Sequence, residues 1–187
     1  MQDLSGKKIA ILATHGFEKS ELLEPRDRLR RAGAAVEVVA PEGGRIRSWK
    51  GTDWDEDVEV DRTVDRVSAG DYDALVLPGG QINPDLLRVD DNAMAFVRDF
   101  VRSGKTVGAI CHGPWLLIEA GAVRDLRATS YTSIRTDMIN AGADWVDEEA
   151  VCDRGIVTSR NPDDLPAFCD KIAEEVREGR RSERAAA

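Results

Sequence analysis

A chain of 187 residues, 42% hydrophobic and 33% charged, is long enough to bury a single core without disulfide or metal staples. Its net charge of −9 argues against non-specific binding to nucleic acid or to anionic membranes. Cys111, Cys152 and Cys169 lack CxxC spacing, and His15 and His112 complete no zinc-like cluster, so neither a disulfide framework, a metal nor a cofactor is expected.

Met1 to Gly6 does not read as a signal peptide, and no apolar run reaches membrane-spanning length, so the expectation is a cytoplasmic protein. Lys7–Ala13 reads as a first buried strand. A helix follows through Leu22, Pro25, Leu29 and Ala32, stopped at Gly33, with Pro25 either delaying or kinking it. Ala35–Ala40 forms a second strand. The stretch from Arg45 to Gly70 reads as polar and irregular, with one short strand at Val58–Val60. Ala74–Leu77 is a third buried strand ended by Pro78-Gly79-Gly80, and Ala93, Val97, Phe100 and Val101 mark a helix before Gly104. In the last third, Thr132 or Ser133 is placed to cap a short helix through Ile134 and Met138. Ala150–Ser159 reads as a hairpin, and Leu165, Phe168, Ile172 and Val176 form one face of a final helix. Residues 1–5 and 179–187 are expected to fray around one domain.

Between the second helix and that last third lies the most informative segment. Thr106–Ile110 is a short apolar run that ends in Cys111-His112-Gly113-Pro114 and passes directly into the apolar Trp115-Leu116-Leu117. This is how a sharp strand-to-helix turn reads, with a cysteine at its apex and helix-start amides beneath it. Those amides are expected to favour thiolate over thiol. Strands separated by helices make the fold class α/β: a flavodoxin-like three-layer sandwich with a mostly parallel sheet covered on both faces. Ligands then bind at the carboxyl ends of the strands, where the loops carry Glu18, Gly79-Gly80 and Cys111-His112.

Six stretches resemble the PfpI-type intracellular protease family, within the superfamily that includes the Parkinson-associated deglycase and bacterial glyoxalase and stress proteins. They are Gly16–Leu22, Tyr72–Gly80, Ala109–Pro114, Asp137–Ala143, Thr158–Arg160 and Pro162–Phe168. The resemblance implies that Cys111 is the nucleophile, His112 its base, and Glu18 the carboxyl touching the sulfur. The amides of Gly80 and His112 would receive an oxyanion. It also implies a homodimer or larger assembly, with an acid supplied by a neighbouring subunit; Asp85 is the candidate, and a plain helix-start residue is the alternative. His15 and Tyr131 either line the pocket or are, respectively, a solvent-facing loop histidine and a buried structural tyrosine. Cys152 and Cys169 read as packing residues.

Three functions fit these residues. One is a cysteine-dependent enzyme acting on small reactive aldehydes or on glycated protein and peptide. Another is an intracellular cysteine peptidase, which needs a groove for an extended chain. The third is a non-enzymatic redox sensor or holdase, its thiol oxidised to sulfinic acid. A glutaminase would want a distant His-x-Glu, which two histidines at 15 and 112 do not supply.

Overall fold

The computed structural model describes residues 2–179. Its strands are β1 (Lys8–Leu12), β2 (Phe17–Glu18), β3 (Ala35–Ala40), β4 (Arg45–Lys50), β5 (Asp53–Glu59), β6 (Arg62–Thr63), β7 (Ala74–Leu77), β8 (Thr106–Ile110), β9 (Arg127–Ala128), β10 (Asp144–Trp145), β11 (Ala150–Asp153) and β12 (Ile156–Ser159). Its α-helices are α1 (Lys19–Arg31), α2 (Ile82–Leu87), α3 (Asp91–Ser103), α4 (Pro114–Glu119), α5 (Arg135–Asn140) and α6 (Leu165–Glu178). The central sheet has seven strands in the order β11-β12-β8-β7-β1-β3-β6. Only the edge pair β11–β12 is antiparallel; the others run parallel.

Alternation along the strands explains the three layers, because successive side chains point to opposite faces. Ile9, Ile11, Val36, Val38 and Val76 pack with Leu22 and Leu29 of α1 and with Phe168 and Ile172 of α6. Their neighbours Ala10, Leu12, Val39, Leu75 and Leu77 pack instead with Val97 and Phe100 of α3 and with Leu116 and Leu117 of α4. Gly108 allows α6 to approach β8 closely, since a Cβ there would lie 2.5 Å from Ile172 and 3.0 Å from Phe168.

Three expectations are refined. Pro25 sits inside α1, which starts at Lys19 and runs on past it to Arg31. Arg45–Gly70 is not irregular: β4 and β5 form an antiparallel hairpin, and β2 pairs with β4 to make a second, three-stranded sheet. That hairpin buries only Ile46, Ser48 and Val58, so its charged sequence hides the strand pattern. Thr132 and Ser133 cap no helix with their side chains; the segment is a 3-10 turn leading into α5.

At the termini, Leu4 is fully buried and its amide donates to the Ala32 carbonyl at 2.7 Å. The expected fraying of residue 1 and of 180–187 lies outside the described residues. Among the described residues no helix is long and apolar enough to cross a membrane.

Candidate active site

Cys111 sits at the carboxyl end of β8 with φ of 61°, a left-handed conformation otherwise found off glycine only at Asp125 and Arg154 among the described residues. Such backbone costs on the order of 1–3 kcal/mol and persists only when its surroundings fix it. Here the Cys111 amide donates to the Ser159 carbonyl at 3.0 Å, and its carbonyl accepts from the Tyr131 amide at 2.9 Å. Gly113 completes the turn, because a Cβ there would stand 2.4 Å from the Leu77 carbonyl oxygen. The sharp strand-to-helix turn read from the sequence is therefore present with Cys111 at its apex, and Pro114 opens α4 directly behind it.

The sulfur is 7% exposed by residue, yet it lines a cavity of about 400 Å³. The backbone amides of Gly80 and His112 are directed at the sulfur. Burial nevertheless pushes the Cys111 thiol above its ordinary range, with the neighbouring Glu21 acting in the same direction and the two amides opposing them. Desolvation therefore works against the expected thiolate preference, and the two amides work for it.

The carboxyl against that sulfur belongs to Glu21, three residues beyond the expected Glu18. Glu21 is fully buried on the inner face of α1. Its Oε2 accepts from the Gly79 amide at 2.8 Å, and its otherwise unpartnered Oε1 belongs to the carboxyl facing the thiol. Burial raises Glu21 to about 8, so it carries a proton at neutral pH. Glu18 lies just before α1, on the wall of the same cavity, and its Oε1 accepts from Ser20 at 3.3 Å. Partial burial raises its carboxyl too, opposed by the bonds from Ser20.

His112 places Nδ1 3.2 Å from the Cys111 sulfur, although the residues are neighbours in sequence. The elbow makes this possible by breaking regular geometry. Tyr131 stacks on the imidazole at 5.0 Å between ring centres, and Trp115 meets it edge-on at 5.2 Å. Nε2 lies 3.0 Å from the Oγ of Ser133, one of the two residues whose position in the sequence suits a helix cap. Burial holds His112 below its usual value, and the nearby Asp137 carboxylate opposes that shift. The imidazole is therefore neutral near pH 7 and able to accept a proton.

The remaining candidates divide. Tyr131 lines the cavity. His15 lines a neighbouring cleft with Thr14 and Pro41, where its Nδ1 accepts from the Arg47 amide at 3.1 Å. Asp85 is exposed on α2, between the exposed Leu86 and the buried Pro84, and does not line this chain's cavity. The β4–β5 hairpin contributes Trp49 and Gly51 to the wall, a contribution that the polar sequence of Arg45–Gly70 does not signal. Cys152 and Cys169 are both raised to about 12, chiefly by burial.

Comparison with known proteins agrees with this geometry. Residues 7–175 match the DJ-1/PfpI family. The chain is 49% identical to General stress protein 18 of Bacillus subtilis over 164 residues, which cover 87% of this chain and 94% of that protein. It is 47% identical to Protein/nucleic acid deglycase 2 of Escherichia coli, with 87% and 93% covered. Among solved structures, Drosophila melanogaster DJ-1beta superposes with a TM-score of 0.82 at 29% identity, covering 95% of each chain. By the extent of the family match and the identity to these relatives, the chain belongs to the DJ-1/PfpI family.

Proposed function

We propose that this chain is a stress-related, cysteine-dependent enzyme that acts on reactive carbonyls in the manner of a deglycase or glyoxalase, with Cys111 as nucleophile. The observation that carries the reading is the Cys111 sulfur held between the His112 imidazole and the Gly80 and His112 amides at a small cavity. Relatives named as deglycases, including Deglycase PfpI of Pyrococcus furiosus at 43% identity, support the same reading.

The chemistry follows from the geometry. The thiol proton passes to His112 Nδ1 as the sulfur adds to an aldehyde carbon, and the Gly80 and His112 amides take the developing oxyanion. The resulting hemithioacetal needs a proton moved from its carbinol carbon to the adjacent one, which leaves a thioester. Water then releases a 2-hydroxy acid and returns the thiol. From the hemiaminal of a glycated amine, the sulfur instead displaces the amine at the carbinol carbon, the amine leaving with the proton that His112 took from the thiol, and the same hemithioacetal then follows. A cavity of about 400 Å³ suits a small dicarbonyl or one modified side chain better than the extended chain a peptidase must hold.

Purified protein assayed in parallel with methylglyoxal, a glycated peptide and a fluorogenic peptide, in buffer free of Tris, tests the reading. Turnover of the first two that disappears in Cys111→Ala is the expected result. Cleavage of the fluorogenic peptide alone would replace it with the peptidase reading.

For assembly, we propose a homodimer in which Asp85 of one subunit approaches the His112 side of the other. Leu86, 47% exposed, and Val89, 79% exposed, give α2 and its end the apolar surface such an interface needs. Dilution to monomer should then lower turnover together with assembly. Full turnover in a monomer at micromolar concentration would remove Asp85 from the site.

A further inference from the structure

We propose that Ser133 is a positioning residue that fixes the tautomer and orientation of the His112 ring, and so directs the thiol proton of Cys111. This rests on the reading of Cys111 as nucleophile and His112 as its base. A neutral imidazole has one N–H and one bare nitrogen. To receive the thiol proton, Nδ1 at 3.2 Å from the sulfur must be bare, which puts the hydrogen on Nε2. The side-chain hydroxyl 3.0 Å from Nε2 is that of Ser133, which can accept this hydrogen.

The other donors and acceptors set the direction. Glu21, buried and protonated, does not compete as a charged acceptor for the thiol hydrogen, which can point at Nδ1. At the far end, Ser133 lies in an exposed segment where its own O–H can reach solvent. The hydrogens of Cys111, His112 and Ser133 then all point the same way. In the reverse arrangement Ser133 donates to Nε2, the ring hydrogen sits on Nδ1, and the thiol proton has no acceptor on His112. The ring itself is well confined, stacked on Tyr131 and met edge-on by Trp115, whose indole N–H donates to Asp137 at 2.9 Å. Those contacts fix the plane of the ring, and the hydroxyl at Nε2 gives a ring hydrogen there an acceptor. Ser133 also makes no helix-cap bond that would explain its side chain otherwise.

Nitrogen NMR of the ring atoms tests this directly, because the chain has only two histidines and a His15→Gln variant assigns His112. The wild type should show hydrogen on Nε2 and a bare Nδ1. Ser133→Ala should give a mixture of tautomers and slow iodoacetamide alkylation of Cys111 about fivefold, the scale of one neutral hydrogen bond. Ser133→Thr keeps the hydroxyl and should restore both. A wild-type ring with its hydrogen on Nδ1 would overturn the inference, as would an unchanged tautomer and alkylation rate in Ser133→Ala. So would a tautomer that responds to Asp85→Asn and not to Ser133→Ala, since a neighbouring subunit would then hold the nitrogen. If the tautomer and alkylation behave as expected while the wild type turns over no carbonyl, the functional proposal fails and the role of Ser133 stands.

Discussion

Glu21 reaches Cys111 past the backbone of Gly79: its Oε2 accepts from the Gly79 amide at 2.8 Å while the carboxyl lies against the thiol. Two acidic groups this close in a dry site cannot both ionise readily, so the pair holds its protons as a unit. A protonated Glu21 places no second negative charge beside the sulfur. Cys111 can thus lose its proton to His112 while Glu21 keeps its own.

The same burial makes stability depend on pH. Unfolded Glu21 releases its proton near 4.5, whereas the folded carboxyl keeps it to about 8. The folded state binds the extra proton across that window, so stability is greatest below it and falls as pH rises through it, by at most ~1.4 kcal/mol per pH unit. Glu21→Gln is neutral in both states, keeps an acceptor for Gly79, and should flatten this decline. Urea unfolding of both proteins from pH 5 to pH 9 checks it; parallel curves would show that Glu21 is ionised when folded.

Cys111 should be the thiol that reacts first. All three cysteines are pushed up by burial, but only Cys111 has an imidazole nitrogen at 3.2 Å and a place on the cavity wall. Limiting iodoacetamide followed by peptide mapping should label it well ahead of Cys152 and Cys169. Equal labelling in the folded protein would mean that the elbow confers no reactivity.

Much of this was legible in the sequence, for a physical reason. A parallel sheet buried on both faces leaves continuous apolar runs such as Ala74–Leu77, and glycine or proline marks where they stop. The elbow was legible because Cys-His-Gly-Pro between a strand and a helix admits few other geometries. The β4–β5 hairpin was hidden because most of Asp53–Glu59 faces solvent, so little apolar alternation remains. Glu18 was expected at the sulfur in place of Glu21, although helix periodicity carried the distinction. Glu21 shares a buried face with Leu22, Pro25 and Leu29, while Glu18 precedes the helix. Ser133 was read for local capping because its contact with His112 spans 21 residues and exists only once the fold has formed.

Gly79 should tolerate no side chain. A Cβ there would stand 2.7 Å from both the Cys111 Cβ and Glu21 Oε2, and 2.8 Å from the His112 amide nitrogen. Gly79→Ala must therefore displace the Glu21 carboxyl, Cys111 or the His112 amide; the carboxyl end is tied to the Gly79 amide, and the other two contacts are a Cβ and a backbone nitrogen that cannot swing aside. The expected result is a stability loss of about 1–3 kcal/mol together with slowed alkylation of Cys111. Urea titration and alkylation kinetics on one preparation check both, and wild-type alkylation in a destabilised variant would show that the strain is relieved away from the site.

Trp49 should set how well larger substrates bind. It reaches the cavity from β4, its indole N–H donates to the Gly51 carbonyl at 3.0 Å, and Trp54 packs edge-on at 5.4 Å. A small dicarbonyl needs only the sulfur and the two amides, whereas the side chain of a glycated peptide must also lie along the wall. Trp49→Ala removes apolar contact made equally in ground and transition states, so KM should rise severalfold for the peptide with kcat little changed. Methylglyoxal kinetics should move by less than twofold in the same variant. Steady-state kinetics with both substrates decides the matter: an equal loss for both would mean that Trp49 supports the elbow itself, and no loss for either would place the peptide elsewhere.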